Sequence, residues 1–196
     1  MKLYITRHGE TLENKAGILQ GHSEGTLSET GIAQAEKLSA KLKDEKFSII
    51  YSSDLGRAAG TTAIISKHHT DIPIIYTKDL RERDLGEFQG KTRKECGWDI
   101  KAGSKYPEPE NGEKTPDVYL RAQKFYTYLL NNHMNDNLLV VTHGFTGKIL
   151  SGIITGISLD DIVIAASLKN TSLSIYEIYE PGKYHTISFD STVHLL

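Results

Sequence analysis

Cysteine is almost absent from this chain, which has Cys96 alone among its 196 residues. A single cysteine cannot form an intrachain disulfide, so we expect a reducing compartment and favour the cytoplasm. The N-terminus reaches Arg7 too early for the apolar core of a secretion signal. No apolar run approaches the roughly 18 residues that a membrane span needs, so no membrane association is expected.

An excess of charge of one sign is also missing. Lysine and arginine number 23 against 25 aspartates and glutamates, which gives a net charge of −2. Nucleic-acid binding needs clustered basic residues, so a nucleic-acid partner is not expected. The apolar content of 38% and the length are ordinary for one globular unit, and we predict a single domain over residues 1–196. The oligomeric state is left open, with a homodimer as one possibility.

Strand-like runs alternate with helical runs along most of the chain. This order predicts βαβ units and a largely parallel sheet covered on both faces. The first long helix follows Ser28, a good N-cap, and its predicted buried face consists of Ile32, Ala35, Leu38 and Leu42. Near the C-terminus, Pro181 and Gly182 suit a tight turn between antiparallel strands. The predicted fold is therefore α/β, a three-layer α/β/α sandwich with a mixed, mostly parallel central sheet.

The stretch at about residues 90–115 shows no clear period and is rich in glycine, proline and charge. Long irregular segments in compact domains often act as lids or binding loops. We expect an excursion over the active site, with a plain surface insertion as the alternative. Its positive and negative charges balance in number, which predicts no additional phosphate site there.

Two segments repeat one local design, an apolar run that ends in Thr and is closed by His-Gly. They are residues 3–9 (LYITRHG) and residues 138–144 (LLVVTHG). Each places a histidine, His8 or His143, just past the carboxyl end of a predicted strand, the edge at which open α/β sheets bind ligands. The glycine after each histidine is predicted to leave room for a tetrahedral anion.

Other predicted strand ends add Arg57 and Glu82 to the same edge. If these strand ends share one crevice, five side chains surround one bound group: Arg7, His8, Arg57, Glu82 and His143. Guanidinium groups match phosphate oxygens well, and a neutral imidazole can attack phosphorus. The set therefore predicts phosphoryl transfer.

These motifs resemble the histidine phosphatase superfamily, which includes phosphoglycerate mutases, fructose-2,6-bisphosphatases and α-ribazole phosphatases. The similarity runs in order from residue 3 to about 150 through RHGET at 7–11, QG at 20–21, LSETG at 27–31, SDLGRA at 53–58, the spaced set Leu80, Glu82, Gly86, Phe88 and Gly90, and THG at 142–144. The resemblance implies a phosphoglycerate mutase-like fold. It makes His8 the phosphorylated nucleophile and Glu82 the general acid, with a phosphoryl clamp of Arg7, Arg57 and His143. Substrate contacts are implied for Asn14, Gln20, Gly21 and Gly144.

The function predicted from the sequence is a metal-independent, histidine acid-type phosphatase. It would hydrolyse a small phosphorylated metabolite through a phosphohistidine intermediate, with no metal ligands and no cofactor. The run at 83–86 (RDLG) departs from the Arg-His-Tyr-Gly run of the mutases, which favours hydrolysis. Two alternatives stay open: a phosphoglycerate mutase, and a non-catalytic module that binds phosphate or a phosphopeptide.

Overall fold

The computed structural model describes residues 1–97 and 107–196. Its strands are β1 (Lys2–Arg7), β2 (Ile49–Ser53), β3 (Ile74–Thr77), β4 (Asn137–Thr142), β5 (Leu173–Glu180) and β6 (Lys183–Ser191). Its α-helices are α1 (Leu12–Lys15), α2 (Glu29–Leu42), α3 (Gly56–Ile65), α4 (Thr115–Asn132), α5 (Gly144–Thr155) and α6 (Leu159–Ile164). None of the helices within the described ranges has the length and apolarity to span a membrane.

The six strands form one mixed sheet in the order β3-β2-β4-β1-β5-β6. Strands β1 to β4 run parallel, β5 pairs antiparallel with β1, and β6 pairs antiparallel with β5. The central strand β1 therefore has β4 on one side and β5 on the other. The carboxyl ends of β1, β2 and β4 lie at the same edge as the start of β5.

Helices cover both faces of the sheet, because alternate strand residues bury apolar side chains on opposite sides. On one face Leu3 and Val140 pack with Phe125 of α4 and Leu150 of α5. On the other face, Leu38 of α2 and Ala58 of α3 pack with Tyr4 of β1 and Val141 of β4. The predicted three-layer sandwich with a mixed, mostly parallel sheet is confirmed.

The predicted face of α2 is wrong at one position. Ala35, Leu38 and Leu42 are buried, but Ile32 is 41% exposed. Gly31 is buried in its place, because its backbone packs against Glu10 so closely that a Cβ atom would lie 1.9 Å from the Glu10 carbonyl oxygen. A pattern of apolar residues does not reveal a helix face formed by a glycine.

Of the predicted excursion at 90–115, residues 98–106 lie outside the described part of the chain. The flank before them is attached to the segment after α1, since Leu19 N–H donates to the Lys91 carbonyl and Gly90 N–H to the Leu19 carbonyl, both at 2.8 Å. The flank after them is attached to Glu87, whose carboxylate accepts the N–H groups of Glu110 and Asn111.

Candidate active site

The parallel pairing of β1 with β4 brings the two His-Gly segments together. Arg7 lies opposite Thr142 in the register, and the His8 N–H donates to the Thr142 carbonyl at 3.0 Å. The two imidazole rings meet edge to face, with centroids 5.1 Å apart. Both histidines are buried, with 2% exposure for His8 and none for His143.

A cavity of about 600 Å³ opens at this edge of the sheet. Four of the five residues predicted to act on phosphate line it, namely Arg7, His8, Arg57 and Glu82. The fifth, His143, is buried against His8. All four predicted substrate contacts also line the cavity: Asn14, Gln20, Gly21 and Gly144.

The His8 ring is held with one nitrogen directed at the backbone and the other at a cation. Its Nδ1 lies 2.7 Å from the Gly9 carbonyl oxygen, which can only accept, so Nδ1 carries the proton. Its Nε2 is then unprotonated, and the lone pair on this nitrogen accepts a hydrogen bond from Arg57 Nε at 3.2 Å. Burial and the positive charges of Arg7 and Arg57 hold the pKa of His8 well below its usual value. His8 is therefore neutral, with a nucleophilic Nε2.

The His143 ring is oriented by Ser53 at the end of β2. Its Nε2 lies 2.8 Å from the Ser53 hydroxyl oxygen. Its Nδ1 is buried without a hydrogen-bond partner among the described residues. Burial, together with the nearby Arg57 charge, holds the pKa of His143 well below its usual value. His143 is thus a neutral ring that can donate one N–H.

Arg57 is a buried cation that no carboxylate pairs with directly in the described chain. Its Nη1 and Nη2 donate to the carbonyl oxygens of Ser23 at 2.9 Å and Gly21 at 2.7 Å. Burial lowers its pKa to about 10, so the guanidinium keeps its charge at neutral pH. Carbonyl dipoles fix the fork without neutralising it, which leaves the charge available to an anion.

Arg7 is anchored in a similar way on the far side of β1. Its Nη1 donates to the Leu168 carbonyl at 2.7 Å, and its buried Nε has no partner among the described residues. Gly144 lies against this guanidinium, because a Cβ atom there would be 3.4 Å from Arg7 Cζ. A Cβ atom at residue 144 would meet Ser167 Cβ more tightly, at 3.2 Å.

The carboxyl group of Glu82 is bound by the N-terminus of α5. Its Oε2 accepts the Phe145 N–H at 3.1 Å and its Oε1 the Thr146 N–H at 3.2 Å, while Arg83 N–H donates to Oε1 at 3.0 Å. A helix N-terminus suits a carboxyl group because its first N–H groups lack partners within the helix. The helix that follows His143 thus fixes Glu82 in the cavity wall.

A family model supports what this geometry indicates. The model of the histidine phosphatase superfamily (branch 1) matches residues 3–189. The chain belongs to this superfamily. It is 30% identical over 209 residues to the metal-independent phosphoserine phosphatase of Arabidopsis thaliana, with 99% of this chain and 83% of that protein covered. It is 28% identical over 206 residues to phosphoglycerate mutase-like protein 4 of the same plant, covering 99% and 86%.

A solved structure extends the likeness to the whole fold. Bacillus stearothermophilus YhfR superposes with a TM-score of 0.88 at 32% identity, and the match covers 100% of this chain and 99% of that one. The phosphoglycerate mutase-like fold predicted from the sequence is confirmed. The protein is a histidine phosphatase.

Three of the predicted substrate contacts of this histidine phosphatase differ in how they are held at the site. Gly21 has a φ of +53°, and it is its carbonyl that anchors Arg57. Gln20 is 7% exposed and its Oε1 has no partner among the described residues. Asn14 accepts from Asn170 Nδ2 at 3.4 Å.

The predicted reason for Gly9 is wrong. A Cβ atom on Gly9 would lie 2.4 Å from the Gly31 carbonyl oxygen. Gly9 is therefore required for the close packing of the His8 loop on the start of α2. The space that it leaves is filled by backbone and not by a ligand.

The segment just before β5 contributes to the site, and the sequence analysis missed it. Asn170 Nδ2 donates to the His8 carbonyl at 3.0 Å, and Thr171 N–H donates to the Arg7 carbonyl at 3.1 Å. With Leu168 beneath Arg7, this segment supports both residues of the first motif. An antiparallel strand beside β1 must start where β1 ends, but the sequence analysis did not place β5 beside β1.

The sequence analysis also missed Arg121 and Glu113, which bind the backbone on both sides of Glu82. Arg121 of α4 donates through Nη1 to the Arg81 carbonyl at 2.9 Å, and it pairs with Glu113. Glu113 Oε2 accepts the Asp84 N–H at 3.0 Å. No local motif marks Arg121, because the Arg81 carbonyl that it binds lies 40 residues earlier in the chain.

The sequence analysis predicts that this protein has no metal ligands. Among residues 1–97 and 107–196, no group of three or more His, Cys, Asp or Glu side chains could hold a metal ion. The positive charges that act on His8 are those of the Arg7 and Arg57 guanidinium groups. Independence from metal stays a prediction that activity measurements must test.

Proposed function

We propose that this histidine phosphatase hydrolyses small phosphomonoesters through a phosphohistidine at His8. The carrying observation is the His8 imidazole: its Nδ1 proton faces the Gly9 carbonyl, and its unprotonated Nε2 accepts the Arg57 Nε–H, with both side chains lining the cavity. A covalent intermediate divides one difficult displacement into two easier ones. The names of relatives, among them phosphoserine phosphatase, support a small phosphorylated metabolite as substrate.

In the first step the Nε2 lone pair of His8 attacks phosphorus. The bond between phosphorus and the ester oxygen breaks, and that oxygen leaves with the bonding electrons and a proton from the Glu82 carboxyl group. In the second step water attacks phosphorus and gives its proton to Glu82. The P–N bond breaks, its electrons return to Nε2, and inorganic phosphate is released. General acid help of this kind is typically worth about 10²–10⁴-fold.

The clamp on the phosphoryl oxygens consists of Arg7, Arg57 and His143 in this proposal. Two of these groups have a buried nitrogen without a hydrogen-bond partner among residues 1–97 and 107–196, Arg7 Nε and His143 Nδ1. Preorganised donors stabilise charge that develops on phosphoryl oxygens in the transition state. Asn14, Gln20, Gly21 and Gly144 would contact or shape the bound group.

The test is direct detection of the intermediate. Rapid quenching at alkaline pH after mixing with a phosphomonoester, followed by mass spectrometry, should find a phosphoryl group on His8. Release of inorganic phosphate without formation of an isomeric ester distinguishes a phosphatase from a mutase. Undiminished turnover by a His8→Ala variant, or an adduct on another residue, would overturn the mechanism.

We also propose that the chain is one domain that works in the cytoplasm. The single Cys96 supports this location, because proteins of reducing compartments do without disulfides. Cell fractionation of the tagged protein tests it, and enrichment with a membrane or secreted fraction would contradict it.

A further inference from the structure

We propose that a second cavity, beside helix α5, binds a small uncharged molecule with an apolar body and one alcohol, phenol or carbonyl group. Its occupant tightens the binding of phosphate at the active site, a link that rests on the proposed phosphoryl clamp. No described residue lines both cavities, so this second cavity is separate from the one that holds the reacting group.

The second cavity lies between α5, α6 and the hairpin of β5 and β6. Its volume of about 450 Å³ falls within the range of about 300–1,000 Å³ that is typical of small-molecule sites. Helix α5 contributes Ser151 and Lys148, and β5 contributes Tyr176. Most of the other lining residues are apolar, among them Ile157, Ile162, Ala165, Ala166, Leu168 and Phe189. This wall suits the apolar body of an organic molecule.

Two buried hydroxyl groups of the wall lack partners. Ser151 is 3% exposed and Tyr176 is fully buried, yet within residues 1–97 and 107–196 neither hydroxyl makes a hydrogen bond of normal geometry. Buried hydroxyl groups normally have a partner. Thr155, one turn further along α5, shows the usual arrangement in a helix, since its hydroxyl donates to the Ser151 carbonyl at 2.9 Å. The hydroxyls of Ser151 and Tyr176 are therefore available to a ligand.

These two hydroxyl groups are neighbours. Burial raises the pKa of Tyr176, and the Ser151 hydroxyl opposes that shift to a smaller extent. Tyr176 therefore keeps its proton at neutral pH and can donate. A serine hydroxyl and a phenol can each donate and accept a hydrogen bond, so one alcohol or carbonyl oxygen within reach of both can be bound by both.

The charged groups of the wall already have partners, which favours an uncharged ligand. Lys148 Nζ donates to two backbone carbonyls at the end of α6, at 2.7 and 3.0 Å. Asp161 accepts the Ser158 hydroxyl at 2.6 Å, and Asp190 accepts the Lys169 N–H at 2.9 Å. A charged ligand would lose its hydration here without meeting an uncompensated charge.

The segment before β5 lies between the second cavity and the active site. Leu168 lines the second cavity, and its carbonyl accepts Arg7 Nη1 at 2.7 Å, while its neighbour Ser167 lines the active-site cavity. Helix α5 also reaches both, because its first N–H groups bind Glu82 and its later turns line the second cavity. A molecule bound there packs against the structure that holds Arg7 and Glu82, so it should stabilise the arrangement that binds phosphate.

The experiment uses four probes that share one ring and are of similar size: benzyl alcohol, ethylbenzene, benzoate and benzylammonium. Titrations followed by methyl NMR give the affinities and locate the site. The methyl groups of Ile162 and Leu168 line the cavity, whereas Leu38 packs on the other face of the sheet. Benzyl alcohol should shift the first two and not the third, and it should bind about tenfold more tightly than either charged probe.

The double variant Ser151→Ala with Tyr176→Phe removes both hydroxyl groups and keeps the shape of the wall. It should bind benzyl alcohol about tenfold more weakly, because two hydrogen bonds are lost, whereas its affinity for ethylbenzene should not fall. Tm should not fall either, because these hydroxyls have no partner in the described protein, so lost binding is distinguished from lost folding. Tyr126→Phe, which alters a buried tyrosine outside the cavity, is the matched control and should bind all four probes as the native protein does.

Calorimetry with inorganic phosphate measures the link to the active site without turnover. The native protein saturated with benzyl alcohol should bind phosphate about fivefold more tightly, and the double variant at the same alcohol concentration should gain much less. A phosphate affinity that does not respond would overturn the link. None of these measurements depends on hydrolysis, so the proposed phosphatase function is tested separately.

Three further results would overturn the site itself. The first is unchanged Ile162 and Leu168 methyl signals with every probe, or an equal loss of both neutral probes in the double variant. The second is tighter binding of benzoate than of benzyl alcohol, which would contradict an uncharged ligand. The third is a dimer, seen by sedimentation and abolished by Phe189→Ser, because Phe189 is 59% exposed beside the cavity and a second copy of the chain would then cover it.

Discussion

Arg121 binds both carboxylate oxygens of Glu113, with Nε 2.9 Å from Oε1 and Nη2 2.8 Å from Oε2. The third nitrogen, Nη1, donates to the carbonyls of Asp79 at 2.7 Å and Arg81 at 2.9 Å. The residue after Arg81 is Glu82, the proposed general acid. One guanidinium therefore connects helix α4 to the backbone that presents the acid.

Replacement of Arg121 by methionine should misplace Glu82 without touching the substrate. We expect transfer of the phosphoryl group from an alkyl ester to His8 to slow by about 10²-fold, and transfer from p-nitrophenyl phosphate to slow much less. Single-turnover kinetics on both substrates measure the split. Arg121→Lys keeps the charge without the fork and should recover part of the rate, while Lys124→Met on the exposed side of α4 should change neither. Equal losses on both substrates would indicate a purely structural role.

Glu82→Gln removes the proposed proton donor itself. An alkoxide needs a proton as its bond to phosphorus breaks, whereas p-nitrophenolate leaves readily without one. The variant should therefore slow phosphorylation of His8 by an alkyl phosphate about 10²–10⁴-fold and by p-nitrophenyl phosphate far less. Single-turnover measurement is needed, because the later attack of water also uses Glu82. Glu87→Gln, on the same loop, serves as the control, and a selective loss of alkyl ester activity there would contradict the assignment.

The depressed pKa values of His8 and His143 make stability depend on pH. In the unfolded chain each ring takes up a proton as the pH falls through about 6.5, but the folded rings resist protonation. Acid therefore favours the unfolded state. The free energy of unfolding should fall between pH 7.5 and 5 by at most about 2 kcal/mol for each of the two histidines.

Urea denaturation at several pH values measures this loss. His8→Gln and His143→Gln should each flatten the pH dependence, and His185→Gln, at an exposed position of β6, should leave it unchanged. Slopes that are identical in all four proteins would contradict burial of neutral rings at the site.

Chelation should leave the activity intact. The positive charge at the phosphoryl group is proposed to come from Arg7 and Arg57. In two-metal phosphatases, divalent ions supply this charge instead. Initial rates before and after prolonged EDTA treatment test this. Loss of activity that is restored by added metal would overturn the clamp.

Periodicity and strand-end motifs predicted the fold and the main site residues for a physical reason. Parallel neighbours in one sheet end at the same edge, so Arg7, His8 and His143 could be brought together from local patterns alone. Burial of alternate strand residues is likewise a local property. Ile32 was misassigned because the face of α2 is fixed by backbone contact at Gly31, which an apolar pattern cannot express.

The supporting residues could not be predicted in the same way. Asn170 and Arg121 act through backbone carbonyls of segments far away in the sequence, and an asparagine or arginine alone carries no mark of that partner. Contacts of this kind are defined only by the assembled fold.

The position of β1 between β4 and β5 has a consequence for the order of folding. Lys2 pairs with Asn137 on one side and with Glu177 on the other, so β1 is synthesised before both of its partner strands. Closing such long loops costs entropy before any contact compensates for it. The proposed nucleophile at residue 8 is thus synthesised well before its pocket is complete, because the pocket requires Asn170. A nascent or truncated chain that lacks β5 and β6 therefore contains His8 but not a complete active site.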